Sequence, residues 1–210
     1  MPVRILIADD HKVVRQGFRS LLVEAGFEIV AEAGNGQEAV QFAQKFHPDV
    51  AVLDVGMPLL NGIDATREIA RTCPRTKAIL LTMHSEDHYV LNSLRAGARG
   101  FLLKARAADD LIQAIHEVSR GSLYLSPGIS ETVVQAYLNS TEAPLEPLSD
   151  RERQVLQLVA EGKTSKEIAS VLGISVKTAE SHRNHIMEKL DIHDVAGLVR
   201  YAIKRGLIEV

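Results

Sequence analysis

Tryptophan is absent from this 210-residue chain, and phenylalanine and tyrosine together make up 4% of it. Recognition by stacking nucleobases on aromatic side chains is therefore a poor fit. The single cysteine, Cys73, rules out an internal disulfide and suits a reducing compartment. No apolar run approaches the roughly 18 residues of a membrane span, and no basic stretch leads into an apolar one at the start. The expectation is a cytoplasmic chain with no membrane partner. Positive charge is scarce too: 24 Lys and Arg against 27 Asp and Glu leave a net charge of −3, so the chain as a whole is no polyanion binder. What is plentiful is apolar residues, at 46%, enough for one large core or two small ones.

The first half alternates two periodicities. Val3–Ala8, Glu28–Ala33, Val50–Leu53, Lys77–Thr82 and Arg99–Leu103 are short strand-like runs, and Val50–Leu53 reads as a strand buried on both faces. Residues 13–25, 36–46, 63–72, 86–96 and 107–119 read as the helices between them. In the first helix, Val14, Phe18, Leu21, Leu22 and Ala25 mark the apolar face. Five strands alternating with five helices predict an α/β fold: a doubly wound, five-stranded parallel sheet over residues 1–121, covered on both faces by right-handed crossovers.

The pattern then changes. Residues 121–147 hold no Lys or Arg and include Ser122, Ser126, Pro127, Gly128, Pro144 and Pro147. Residues 122–146 read as a linker containing a helix near 128–138. From 147 to 210 only short helices fit. Ser149 caps 150–161, with Glu152 completing a capping box. Thr164 or Ser165 caps 166–172, which Gly173 ends. Ser175 caps 176–190, and 194–205 follows. This small all-α domain carries 10 Lys and Arg against 9 Asp and Glu, a slight basic excess that the rest of the chain lacks.

Acidic residues gather at the carboxyl ends of the predicted strands, where open α/β sheets hold their sites. Asp9 and Asp10 end the first strand and Asp54 the third. In a flavodoxin-like strand order these two strands flank the switch point. Pro58 and Asn61-Gly62 force a loop after Asp54. Three carboxylates within about 4 Å repel by roughly 4 kcal/mol per pair at an effective dielectric of about 20. A divalent cation removes that cost, and oxygen-only ligands with room for water suit Mg²⁺ better than zinc. Thr82 ends the fourth strand and Lys104 the fifth. The set fits phosphoryl transfer to Asp54: the cation and Lys104 neutralise phosphoryl oxygens, and Thr82 donates a hydrogen bond.

In the second half, Thr164 to Lys189 reads as a helix–turn–helix. Val176, Ala179, Ile186 and Leu190 face the core. Lys177, Thr178, Glu180, Ser181, Asn184, His185 and Lys189 are left for solvent or a DNA major groove. Lys177 or Asn184 suits base edges, and Glu180 can only accept. Lys166 and Lys189, nearer the helix ends, suit phosphates, and Thr164 and Ser165 complete the expected contact set.

These residues resemble those of a two-component response regulator. The receiver resemblance covers about 1–120 through Asp9-Asp10, Asp54-Val-Gly-Met-Pro58, Thr82 and Gly100-Phe-Leu-Leu-Lys104. The second half is similar to the LuxR-type helix-turn-helix of the NarL/FixJ subfamily. That likeness rests on Leu148-Ser-Asp-Arg-Glu152, Lys166-Glu-Ile-Ala169, Ile174-Ser-Val-Lys-Thr178, His182 and Ile186-Met-Glu-Lys-Leu190. The resemblance implies a DNA-binding transcription regulator, not an enzyme. In it, Asp54 accepts phosphate from the histidine of a sensor histidine kinase. Asp9, Asp10 and Asp54 bind Mg²⁺ with the Gly56 carbonyl, and Thr82 and Phe101 form a switch pair. It also implies a homodimer on phosphorylation, through the last helix, on double-stranded promoter DNA. Four positions depart from the usual pattern. Phe101 stands for Tyr, Ala105 for a Pro that is often cis, Asp191 for a helix-closing Gly, and Ala179 for Val.

Rival signals are weaker. Gly34-Asn-Gly-Gln-Glu-Ala39 fits a dinucleotide fingerprint but lies after the second strand. Gly162-Lys163-Thr164 lacks the leading Gly of a P-loop, since position 157 is Gln157. His84 with His88, and His182 with His185, share helix faces without a Cys nearby, and His11 reads as a rim residue of the acidic pocket. A phosphatase of the haloacid dehalogenase type needs a second Asp where Gly56 stands. A phospho-dependent interaction module without a DNA role is the third alternative.

Overall fold

The computed structural model describes residues 2–83, 87–127, 129 and 147–208, with backbone only at 87 and 88. The chain divides into two compact units, Met1–Ser140 and Thr141–Val210. The helix expected near 128–138 lies outside the described residues.

In the first unit, strands β1 (Arg4–Ala8), β2 (Glu28–Ala33), β3 (Val50–Asp54), β4 (Lys77–Thr82) and β5 (Gly100–Leu103) alternate with helices α1 (Lys12–Glu24), α2 (Gly36–Phe46), α3 (Gly62–Thr72), α4 (Asp87–Arg95) and α5 (Ala107–Ser119). All strand pairs are parallel, in the order β2-β1-β3-β4-β5-β6. The period-2 alternation of a strand splits each apolar run between two cores. Ile5, Ile7, Val50, Val52, Ile79 and Leu81 face Leu22 of α1 and Leu111, Ile115 and Val118 of α5. Leu6, Ala51, Leu53 and Leu80 face Ala39 and Ala43 of α2, Ile69 of α3 and Leu94 of α4. Burying each large aliphatic side chain stabilises by about 1.5–3 kcal/mol, and the interiors of β1, β3 and β4 are accordingly apolar throughout.

The sixth strand, β6 (Tyr124–Leu125), departs from the expected five. It pairs in parallel with β5 through Gly100↔Tyr124 and Phe101↔Leu125, and so carries the first unit beyond residue 121. Two residues are too few to show a period, and its pairing supplies the edge of β5 with a partner. A single 3₁₀ turn, Lys104–Arg106, follows β5. No peptide bond among the described residues is cis, Lys104–Ala105 included.

The second unit holds α6 (Asp150–Ala160), α7 (Ser165–Leu172), α8 (Val176–Leu190) and α9 (Val195–Lys204). Its caps follow the sequence closely. Ser149 and Glu152 form a capping box at α6; Thr164, rather than Ser165, forms one with Glu167 at α7. Gly173 closes α7 in the left-handed region and Ser175 caps α8. Val155, Leu156, Ile168, Ala179, Ile186, Leu198 and Ala202 build the core. Val176, expected in this core, is 43% exposed at the first residue of α8, and Leu190 is half-buried.

Candidate functional site

The site lies at the switch point, where β1 and β3 are neighbours but their following helices leave to opposite faces of the sheet. Asp9 directly follows β1 and is 1% exposed; Asp54 ends β3 and is 2% exposed. Asp10 stands at the exposed rim with His11, whose Nδ1 is 2.8 Å from Asp10 Oδ1. One ligand atom from each of Asp9, Asp10, His11 and Asp54 fits within a 4.8 Å cluster. The first turn of α1 has no side-chain cap from His11; instead the His11 N–H donates to Asp9 Oδ1 at 2.8 Å, holding that carboxylate in place. Behind it, Arg15 Nη1 donates to the Asp9 carbonyl at 2.6 Å.

Lys104 crosses the pocket from the end of β5. Its Nζ lies 3.0 Å from Asp9 Oδ2 and 2.8 Å from Asp54 Oδ1. Burial alone would lower its pKa, but hydrogen bonds and attraction from Asp54 and Asp9 outweigh burial and raise it above the ordinary lysine value. The ammonium therefore stays charged and relieves the mutual repulsion of the two buried carboxylates. Thr82 ends β4, fully buried, one residue past the Leu81 that faces Asp54 across the ladder. Phe101 is fully buried in the core that includes Leu80. Gly56 lies half-buried in the loop after β3.

That loop is held by backbone hydrogen bonds and closed by a glycine. Val55 N–H donates to the Leu81 carbonyl at 2.9 Å, and Gly62 N–H donates back to the Val55 carbonyl at 2.9 Å. Asn61, 1% exposed, caps α3 by accepting from Asp64 N–H. A Cβ on Gly62 would lie 2.0 Å from the Asp54 carbonyl oxygen, so only glycine lets α3 begin this close behind Asp54. Gly36 meets the same loop: its Cβ would lie 2.0 Å from the Leu60 carbonyl oxygen.

In the second unit, three residues join α7 to α8, the length of a helix–turn–helix. Lys177, Thr178, Glu180, Ser181, Asn184 and His185 are all exposed along α8, while Ala179 and Ile186 are buried. Thr164 and Lys166 are exposed and Ser165 half-buried at the start of α7. Lys189, expected to meet phosphates, is exposed at the end of α8, and its Nζ lies 2.7 Å from the buried Glu152 carboxylate. The two are 37 residues apart, so no local spacing reveals the pair. Among the described residues His182 and His185 join no metal-binding cluster; His84 and the side chain of His88 lie outside the described residues.

Residues 5–116 match the response regulator receiver domain, and residues 146–202 match the luxR family of bacterial regulatory proteins. The chain belongs to the DNA-binding response regulators. It is 40% identical over 216 residues to the oxygen regulatory protein NreC of Staphylococcus carnosus, covering 99% of this chain and 100% of that one. It is 34% identical over 226 residues to the transcriptional regulatory protein DegU of Brevibacillus brevis, covering 99% and 96%. Among solved structures, RcsB of Salmonella enterica serovar Typhimurium, bound to a promoter in the presence of phosphomimetic beryllofluoride, is 28% identical with a TM-score of 0.61, covering 96% of this chain and 98% of that chain. This is a family of transcription regulators rather than enzymes, and Gly56 occupies the position where a haloacid dehalogenase-type phosphatase would need its second Asp. No helix among the described residues is long and apolar enough to cross a membrane.

Proposed function

We propose that Asp54 accepts a phosphoryl group from the phosphohistidine of a sensor kinase in a Mg²⁺-dependent step, and that the phosphorylated regulator binds promoter DNA in the cytoplasm as a homodimer. The observation that carries this reading is Lys104 held between Asp9 and Asp54 in a cluster of three carboxylates rimmed by His11. Such donors fit Mg²⁺, with Asp9, Asp10, Asp54 and the Gly56 carbonyl to hold it. The bound ion would withdraw charge from the phosphoryl oxygens. An Asp54 carboxylate oxygen forms the new bond to phosphorus while the bond to the kinase histidine breaks and the imidazole leaves. Lys104, already charged, pairs with a phosphoryl oxygen, and the Thr82 hydroxyl donates to another, with Phe101 as the neighbouring ring that responds.

In the second unit Lys177 and Asn184 would meet base edges, Thr178, Glu180, Ser181 and His185 would flank them, and Thr164, Ser165 and Lys166 would meet the backbone at the α7 N-terminus. A domain with one net positive charge has little hold on a phosphate backbone, so two copies on two half-sites are needed. Leu198 and Ala202 of α9 are buried, but Val195 is 48% and Ile203 36% exposed, apolar surface that supports a dimer through this helix.

Intact mass after incubation with acetyl phosphate and Mg²⁺ tests the first step. A single phosphoryl adduct is expected, absent from Asp54→Asn and in EDTA; an adduct that survives Asp54→Asn overturns the assignment. Sedimentation with beryllofluoride and operator DNA tests the second, and a complex containing one copy of the chain refutes it.

A further inference from the structure

The turn that delivers Lys104 has no rigid residue of its own. Ala105 brings no φ-fixing ring, and the 3₁₀ turn Lys104–Arg106 is closed by the Ala107 N–H on the Lys104 carbonyl. What surrounds it is a buried polar pair that the mechanism above does not use. Asp110, in the first turn of α5, is 7% exposed, and Ser126, just past β6, is 2% exposed. Ser126 Oγ donates to Asp110 Oδ2 at 3.1 Å, and Arg106 Nε, from the turn itself, donates to the same oxygen at 3.2 Å. Ser126 Oγ also accepts from the N–H of Leu103, the residue before Lys104, at 3.4 Å. The Ser126 N–H donates to the Phe101 carbonyl at 3.0 Å. The backbone is thus held on both sides of the lysine by one hydroxyl–carboxylate pair: Leu103 through Ser126, and Arg106 through Asp110.

We propose that Ser126 and Asp110 are positioning residues for Lys104, fixing the turn from which its ammonium reaches the phosphoryl site. A buried hydroxyl and carboxylate are costly unless partnered, and here all the partners lie in or beside one turn. The pair's hydrogen bonds run to Leu103 and Arg106, on either side of Lys104, and its effect passes through Lys104. The same hydrogen bonds anchor the segment in which the chain leaves the sheet, since Ser126 follows β6 directly.

This inference rests on the reading that Lys104 meets the phosphoryl group, and a double-mutant cycle separates the two. Beryllofluoride affinity in Mg²⁺ is measured by titration calorimetry on the full chain for Ser126→Ala and Asp110→Asn, each alone and combined with Lys104→Ala. Loss of one buried hydrogen bond of ordinary strength predicts affinity about fivefold weaker in the Lys104 background. In the Lys104→Ala background the same changes should have no further effect. Equal losses in both backgrounds, or no loss in either, overturn the proposal. If Lys104→Ala alone leaves beryllofluoride binding unchanged, the phosphoryl role of Lys104 falls and the proposal with it; if Lys104→Ala weakens binding and the other two do not, the proposal alone falls. Should both buried variants fail to fold, Arg106→Ala, at a half-exposed side chain, decides: about twofold weaker binding supports the role and unchanged binding refutes it.

Discussion

Replacing Lys189 with methionine should destabilise the second unit and leave DNA binding almost as salt-dependent as before. Glu152 accepts from Ser149 N–H and Oγ, both at 2.8 Å, and from Lys189 Nζ at 2.7 Å. Burial pushes its pKa up, but the Lys189 ammonium and the two Ser149 donors outweigh burial and hold the carboxyl at about 2, against an ordinary 4.5. A difference of that size caps the linked stabilisation at about 3 kcal/mol near neutral pH. Ser149 supplies part of it, and the Lys189 side chain is 46% exposed and screened, so its own share is about 1–2 kcal/mol. The sign follows from the lowered pKa. The contribution is complete above the unfolded value, shrinks as pH falls through about 5 to 2, and is gone below the folded value. Urea unfolding of the intact chain, with hydrogen exchange of peptides from α6 and α8 to assign the transition, reads the difference. Parent and Lys189→Met should be separated at pH 7 and converge towards pH 2. Unchanged unfolding at pH 7, with a salt slope of DNA binding reduced by about one, would return Lys189 to the phosphate contacts and refute the argument.

Gly62→Ala should cost about 3 kcal/mol, the upper range for forcing atoms into a packed site, and abolish acetyl phosphate labelling, because the new methyl meets the Asp54 carbonyl at 2.0 Å; thermal melts and intact mass check both halves. Asp191→Gly should stabilise the second unit by about 0.5–1 kcal/mol, since Asp191 closes α8 at φ 52°, ψ 42°, a left-handed conformation that favours glycine; urea midpoints measure it. Lys177→Ala and Asn184→Ala should relax base preference at particular positions, whereas Lys166→Ala should weaken all sequences alike; selection from randomised sites at two salt concentrations distinguishes these, and an unchanged sequence preference in the first two moves the reading face elsewhere.

The sheet was legible because strands buried on both faces leave no room for polar alternation. Val50–Leu53 and Ile79–Leu81 are continuous apolar runs whose residues divide between two cores. The caps were legible for a different reason: Ser149 with Glu152, Thr164 with Glu167 and Ser175 with Thr178 each act across three residues, within the reach of local pattern. β6 was not, because Tyr124 and Leu125 take their strand conformation from the edge of β5 rather than from any period of their own. Val176 misled because a helical face predicts which side a residue occupies, not whether it is buried at the helix end.

The clustering of the carboxylates with the lysine could be placed from sequence, since Asp9, Asp10, Asp54 and Lys104 each sit at a strand end and topology brings strand ends together. The side-chain contacts that tie distant residues together could not. Arg15 on the Asp9 carbonyl, Ser126 on Asp110, and Lys189 on Glu152 join residues 6, 16 and 37 positions apart through side chains whose exposed alternatives look the same in one dimension. The last pair changes the account of DNA binding most. Lys189 shares its charge with Glu152, so the exposed cations of the proposed contact set without an ion-pair partner of that kind are Lys166 on α7 and Lys177 on α8, with Glu180 of opposite sign on α8. So small a positive charge gives a single copy little non-specific hold on DNA. On the proposed reading, affinity comes from pairing two such helices on two half-sites, and the monomer–dimer balance is then an effective place for the phosphoryl group to act.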